Sequence, residues 1–315
     1  MPEYFDCLAY DNNDLREFPP LSGGVPTRTL PDHKDPVALV AITEDDSAEF
    51  ADRLTAGCLL GIQGDPRVGT VPSLTYIPGG DVKIGLPCAD VQGIVNRWKH
   101  VGVREEYITK ETPEHVVQVD DFLIGTHPVT NSQYRAFLSA TNYAPRPASW
   151  LFGGYPWDRA NHPVHSIRAA DADAYVAWLR DFTGKPFRLP SEVEWEYAAK
   201  GKSGLAYPWG DEFDTRKANT FESGIHTTTP VGIYPGGHSP FGVWDMGGNV
   251  EEYVADEYSP YPGGTEVKDH LLEGLGAYRI ARGGCFARHG DLARTRRRHG
   301  IIGSACGFRV ATSEE

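Results

Sequence analysis

Six arginines and two histidines crowd into residues 282–299, the run RGGCFARHGDLARTRRRH. Guanidinium forks grip carboxylates and phosphates through paired hydrogen bonds. An imidazole gains or loses a proton near neutral pH. In this run His289 is the acid–base candidate, with Arg288 beside it to steady developing negative charge. Arg282, Arg294, Arg296, Arg298 and His299 are candidate anion ligands. The plainer alternative is that Arg282 and Arg296 brace the fold through buried carboxylates, and that His289 makes a structural hydrogen bond. Upstream, PASWLFGGYPWD gathers Trp150, Phe152, Tyr155 and Trp157 beside glycines. Such rings either stack on a ligand or pack a core, and Trp150 and Trp157 are the candidates for a cleft rim. His162 and His165, in NHPVHSIR, are too few to make a metal site by themselves.

The body carrying this basic run is acidic. The chain has 315 residues, a formal charge of −13, 40% hydrophobic and 23% charged residues, which is the composition of a globular protein. That charge argues against nucleic acid as a partner, because phosphate backbones need a basic face. A local basic pocket on an acidic body suits an anionic small molecule or peptide instead. No apolar run approaches 18 residues, so no membrane span is expected. The opening MPEYFDCLAYDNNDLREF lacks an apolar stretch, so no signal peptide is expected. Five scattered cysteines with no CxxC pair read as free thiols in a reducing compartment, which places the chain in the cytoplasm.

The elements that must hold these residues are partly legible. Residues 1 to about 36 read as an extended arm, rich in Pro, Gly and Asp. Residues 37–63 read as strand (PVALVAI), helix (TEDDSAEFADRLTAG) and strand (CLLGI), a small β-α-β unit with Thr43 or Asp45 capping the helix and Gly57 ending it. Residues 1–70 thus form an extension expected to pack on a main domain at 71–315. Within the latter, Thr130 or Asn131 opens a helix through NSQYRAFLSAT, and RAADADAYVAWLRDFTG reads as another, ending at Gly184. Ser191 with Glu194 three residues on forms a capping box for SEVEWEYAAKG. Elsewhere the texture is short strands and loops.

Seven motifs in unbroken order carry a resemblance. YIPGGDVKIG, TPEHVVQVDDFLIGTHPVTNSQYRAFL, HPVHSIRAADADAYVAWL, FRLPSEVEWEYAAKG, YPWGDEFDTRKAN, TTPVGIYPGGHSPFGVWDMGGNVEEYVAD and RGGCF…CGFRVA resemble the formylglycine-generating-enzyme, or sulfatase-modifying-factor, domain over about residues 74–312. The resemblance implies an α+β fold of the C-type-lectin type, short on regular structure and carrying structural calcium. Ca²⁺ takes six to eight oxygen ligands. The motif GGNVEEYV would supply them from Asn249 and Glu252 and from the backbone of Gly248 and Val250. A second ion is implied at Asn219 and Thr220, where no later acidic ligand is evident.

The resemblance breaks at the catalytic pattern. The family's copper enzymes hold Cu(I) on two cysteines, soft ligands for a soft ion. Here those positions carry Arg288 and Ala293, while Cys285 falls on the family's serine and Glu251 on a tryptophan. A copper-dependent formylglycine generator is therefore not expected, nor copper itself. A sister group uses a three-histidine iron set, part of it from an N-terminal helix, whereas residues 1–70 hold only His33. Two readings stay open: a binding protein for an anionic small molecule or peptide, and an oxidoreductase without the copper pair, acting on a metabolite in natural-product assembly.

Overall fold

A computed structural model describes residues 35–300 and 305–313. The arm expected at the N-terminus lies almost wholly outside them. The first described elements are two helices, α1 (Pro36–Thr43) and α2 (Phe50–Gln63), packed on each other. This corrects the expected β-α-β unit. PVALVAI is a short apolar run that suits strand or helix by pattern alone. Local chemistry makes it helical: Pro36 occupies the first turn and Asp35 accepts the Val37 N–H as N-cap. Nor does Gly57 end α2. The helix runs on through CLLGI to Gly64, where φ is 105°. Gly57 is a contact residue, since a Cβ there would sit 2.9 Å from Pro230 Cβ.

The main body holds small sheets joined by long loops. Strands β1 (Leu74–Ile77) and β2 (Gly80–Ile84) lie either side of Pro78 and Gly79. They do not pair with each other. β1 lies antiparallel to β4 (Phe122–Gly125), and β2 lies antiparallel to β3 (His115–Val119). A Cβ on Gly79 would come within 2.4 Å of Val119 O, so this glycine lets the crossing chains approach. A four-stranded sheet has the order β7 (His299–Gly300), β6 (Arg279–Arg282), β5 (Glu251–Glu257), β8 (Cys306–Phe308), with β5 and β8 parallel. β9 (Ala311–Thr312) completes the β1–β4 sheet.

Capping chemistry sets three helices where the sequence placed them. For α5 (Asn131–Thr141), Thr130 and Gln133 form the box; α6 (Ala169–Thr183) ends at Gly184; for α7 (Glu192–Lys200), Ser191 and Glu194 form the box. Three shorter helices were not anticipated: α3 (Val91–Trp98), α4 (Glu105–Thr109) and α8 (His270–Leu275), the last capped by Asp269. One core packs α7, through Trp195 and Tyr197, against Ile77, Ile84, Val254 and Ile280. A second packs α5 and α6, through Tyr134, Phe137 and Tyr175, against Phe308.

Candidate ligand pocket

The arginine-rich run leaves β6 at Arg282 and returns to the sheet at His299. Gly283 and Gly284, at φ 93° and 69°, turn it sharply, and a Cβ on Gly284 would press to 2.8 Å on the Leu292 carbonyl carbon. Successive tight turns follow, with Arg288 N–H on Cys285 O, Leu292 N–H on His289 O and Arg294 N–H on Asp291 O.

Most of these guanidinium groups point inward to acids. Arg282 meets Glu192 at 3.1 Å and also Glu196, with its side chain fully buried. Arg294 holds both Glu111 oxygens at 2.8 and 2.7 Å, and Asp291 at 2.9 Å. Arg297 also holds Asp291, at 2.9 Å. Arg298 holds both Glu192 oxygens at 2.8 Å and lies 3.9 Å from the centre of the Tyr261 ring. Arg296 donates to the carbonyls of Gly85 and Gly204. The expectation that Arg282, Arg294, Arg296 and Arg298 cradle an anion together is thus corrected. Burying a guanidinium requires a counter-charge, and the fold supplies one to three of these four, while backbone carbonyls hold the fourth. Arg288 differs. Among the described residues, no hydrogen bond or ion pair engages its guanidinium.

Arg288 lines a cavity of about 220 Å³ with His289, His299, Lys110, Asp269, His270, Asp291 and Arg297. Its walls come from the α3–α4 segment, the start of α8 and the arginine loop. Lys110 Nζ sits 2.6 Å from Asp269 Oδ2, both buried. Burial, helped by Arg297, pushes the lysine down to about 8, against the pull of Asp269. His289 Nδ1 lies 3.1 Å from Glu222 Oε1, which also accepts the Gly290 N–H. Burial alone would raise the Glu222 carboxyl, but bonds from His289, Thr220 and Gly290 hold it below its ordinary value. His299 Nδ1 lies 2.8 Å from Glu251 Oε1, and burial outweighs that carboxylate to lower the proton affinity of the imidazole.

The structure brings Arg288, His289 and His299 to one cavity. Lys110, Asp269, Glu222 and Glu251 were missed. Glu251 alone left a trace, as an acid where the family pattern has tryptophan. Trp150 belongs to the core, its Nε1 donating to Asn131 Oδ1 at 2.8 Å, and is no rim residue. Trp157 is 66% exposed and does not line this cavity. His162 and His165 are both pushed down by burial, to about 3 and 4, and Nδ1 of His162 contacts Thr228.

The expected calcium ligands are otherwise engaged. Both Glu252 oxygens bind Arg309 at 2.6 Å, and Oε2 also accepts the Trp195 indole N–H. Asn249, at φ 65°, accepts from the Thr229 N–H and donates back to Thr229 O. Asn219 Oδ1 accepts from Ser223, and Thr220 donates to Glu222. Among the described residues, no three His, Cys, Asp or Glu side chains gather to hold a metal. These side chains tie loops together.

The sulfatase-modifying factor enzyme 1-like domain model matches residues 62–314. The chain belongs to this family. It is 38% identical over 227 residues to serine/threonine-protein kinase Pkn1 of Chlamydia trachomatis, covering 64% of this chain and 34% of that protein. It is 32% identical over 224 residues to hercynine oxygenase of Mycolicibacterium thermoresistibile, covering 59% of this chain and 49% of that one. It thus spans about a third of the kinase and half of the oxygenase. The solved structure of PvdO from Pseudomonas aeruginosa superposes with a TM-score of 0.61 at 28% identity, over 78% of this chain and 96% of that one. The α+β fold is that of this formylglycine-generating-enzyme-like group.

Proposed function

We propose that this family member binds an anionic small molecule, or the acidic end of a peptide, in the cavity of Arg288, His289 and His299. The observation that carries this reading is the contrast within one loop. Its other arginines are taken up by acids or carbonyls, while Arg288 keeps an uncommitted fork on a cavity wall. The acids that share the wall, Asp269 and Asp291, are neutralised by Lys110, Arg294 and Arg297. His289, steadied by Glu222, stands next to the fork to give or take a proton. The test is calorimetric titration of small carboxylates and phosphates into the protein and its Arg288→Ala and His289→Ala forms. Arg288→Ala is expected to weaken binding at least about tenfold, the usual scale for a charge-assisted pair. Equal affinity in the variant sinks the reading.

The likeness to an oxygenase favours a second reading, an oxidoreductase of this family acting on a metabolite without the two-cysteine copper site. In that case the same cavity orients the substrate, with Arg288 as anchor. Oxygen uptake that depends on an added metabolite, and that is lost in Arg288→Ala, separates catalysis from binding alone.

A further inference from the structure

Two of the cavity's three histidines, His289 and His299, are seated on carboxylates, and for His299 that fixes what the ring presents to a ligand. Glu251 is fully buried at the head of β5, behind His299. Its Oε1 lies 2.8 Å from His299 Nδ1, and among the described residues its Oε2 has no hydrogen-bond partner. An ionised carboxylate only accepts. The proton of a neutral His299 therefore sits on Nδ1, and Nε2, on the other edge of the ring, is left as an acceptor. Glu222 holds Nδ1 of His289 in the same way at 3.1 Å. Arg288, close enough for its charge to weigh on His299, only donates. The cavity wall thus sets a donor fork and the His299 acceptor in one cavity.

We infer that the ligand is a small carboxylate bearing an O–H or N–H donor on a neighbouring carbon, a hydroxy or amino acid, and that Glu251 is the positioning residue that sets this choice through His299. This rests on the anion-binding reading above and narrows it. A plain carboxylate fills the Arg288 fork but leaves the imidazole acceptor unmatched. A ligand whose donor is capped by a methyl group both loses that bond and buries the nitrogen, which is costly. A volume of about 220 Å³ suits a molecule of this size and not a folded domain.

The experiment compares three probes of nearly one shape: mandelate, phenylglycine and the O-methyl ether of mandelate. Mandelate or phenylglycine is expected to bind at least about fivefold tighter than the ether, and which of the two leads distinguishes hydroxyl from amine. Glu251→Leu keeps a side chain of similar size but removes the acceptor from Nδ1. With no acceptor holding the proton on Nδ1, the ring takes up the Nε2–H tautomer, and the preference over the ether is expected to fall within about twofold or to reverse. Nitrogen-15 NMR of His299 reads the tautomer directly, without any ligand: Nδ1–H in the native protein and Nε2–H in Glu251→Leu. An Nε2–H tautomer in the native protein, or an unchanged preference in the variant, overturns the inference. Failure of all three probes to bind the native protein overturns the anion-binding reading instead, while the NMR result still judges Glu251.

Discussion

Arg282 and Arg288 stand six residues apart in one loop and have opposite surroundings. Arg282 is enclosed, its side chain between Glu192 and Glu196, with the Thr295 carbonyl also accepting from it. Removing its charge leaves buried carboxylates with too few partners. Arg282→Met is therefore expected to cost about 3–5 kcal/mol, read from urea denaturation. Arg288→Met breaks no such pair, and its stability is expected to stay within about 0.5 kcal/mol of the native protein. The two cysteines nearest the family's copper positions are also enclosed. Burial, with Glu251 adding to it, pushes the thiols of Cys285 and Cys306 up. They are protonated packing residues rather than reactive thiolates.

At the scale of elements, α2 shows how packing overrides propensity. Its FADRLTAGCLLGIQ carries two interior glycines, which a helix tolerates poorly. Both face the main body. A Cβ on Gly57 meets Pro230 and Ile233, and one on Gly61 meets Asn161 Oδ1 at 2.6 Å. Alanine is the better helix former by about 1 kcal/mol, yet Gly57→Ala and Gly61→Ala are expected to destabilise by about 1–3 kcal/mol, because the packed side chains of Pro230, Ile233 and Asn161 lie in the way. Chemical denaturation checks the sign. Faster amide exchange confined to residues 50–63 would show that the loss is in the docking of α2. Arg53 makes the same contact from its side chain, donating to the Ile233 carbonyl at 3.1 Å. The helices α5 and α7 were readable because their caps lie within three residues of the groups they satisfy. α1 was misread because its apolar run has no periodicity to separate helix from strand, and only the Asp35–Pro36 entry decides.

Across the whole molecule, a chain of charge −13 keeps a web of ion pairs under its basic loop. Glu196 lies between Lys200 and Arg282, and Asp291 between Arg294 and Arg297. Burial alone would raise both carboxyls, but these cations hold them below their ordinary values. A carboxyl whose folded value is lowered lends stability that is complete above its unfolded value and is lost as pH falls through the folded one. The thermal midpoint is expected to hold steady through mildly acidic solution and to drop progressively below about pH 4.5, the ordinary value for a glutamate. Scanning calorimetry across pH reads this directly. In Arg282→Met the acid-induced drop is expected to be smaller, because Glu196 has lost one of its two cations and its folded value lies closer to the unfolded one.

The order of the motifs, the capped helices, the loss of both copper-position thiols and the placing of Arg288 and His289 together were all present in the sequence. Each is written in short strings, where a cap, a turn or a substitution is settled by neighbours a few residues away. Which arginine would remain uncommitted was not written there. Arg294 meets Glu111 across 183 residues, Lys110 meets Asp269 across 159, and Glu251 reaches His299 across 48. Pairing of buried charges follows from which loops the fold brings together, since each ion taken out of water must find whatever partner the packed chain sets beside it. Tertiary structure turned a basic run into a brace with one open fork, and set an acid behind the histidine that shares its cavity.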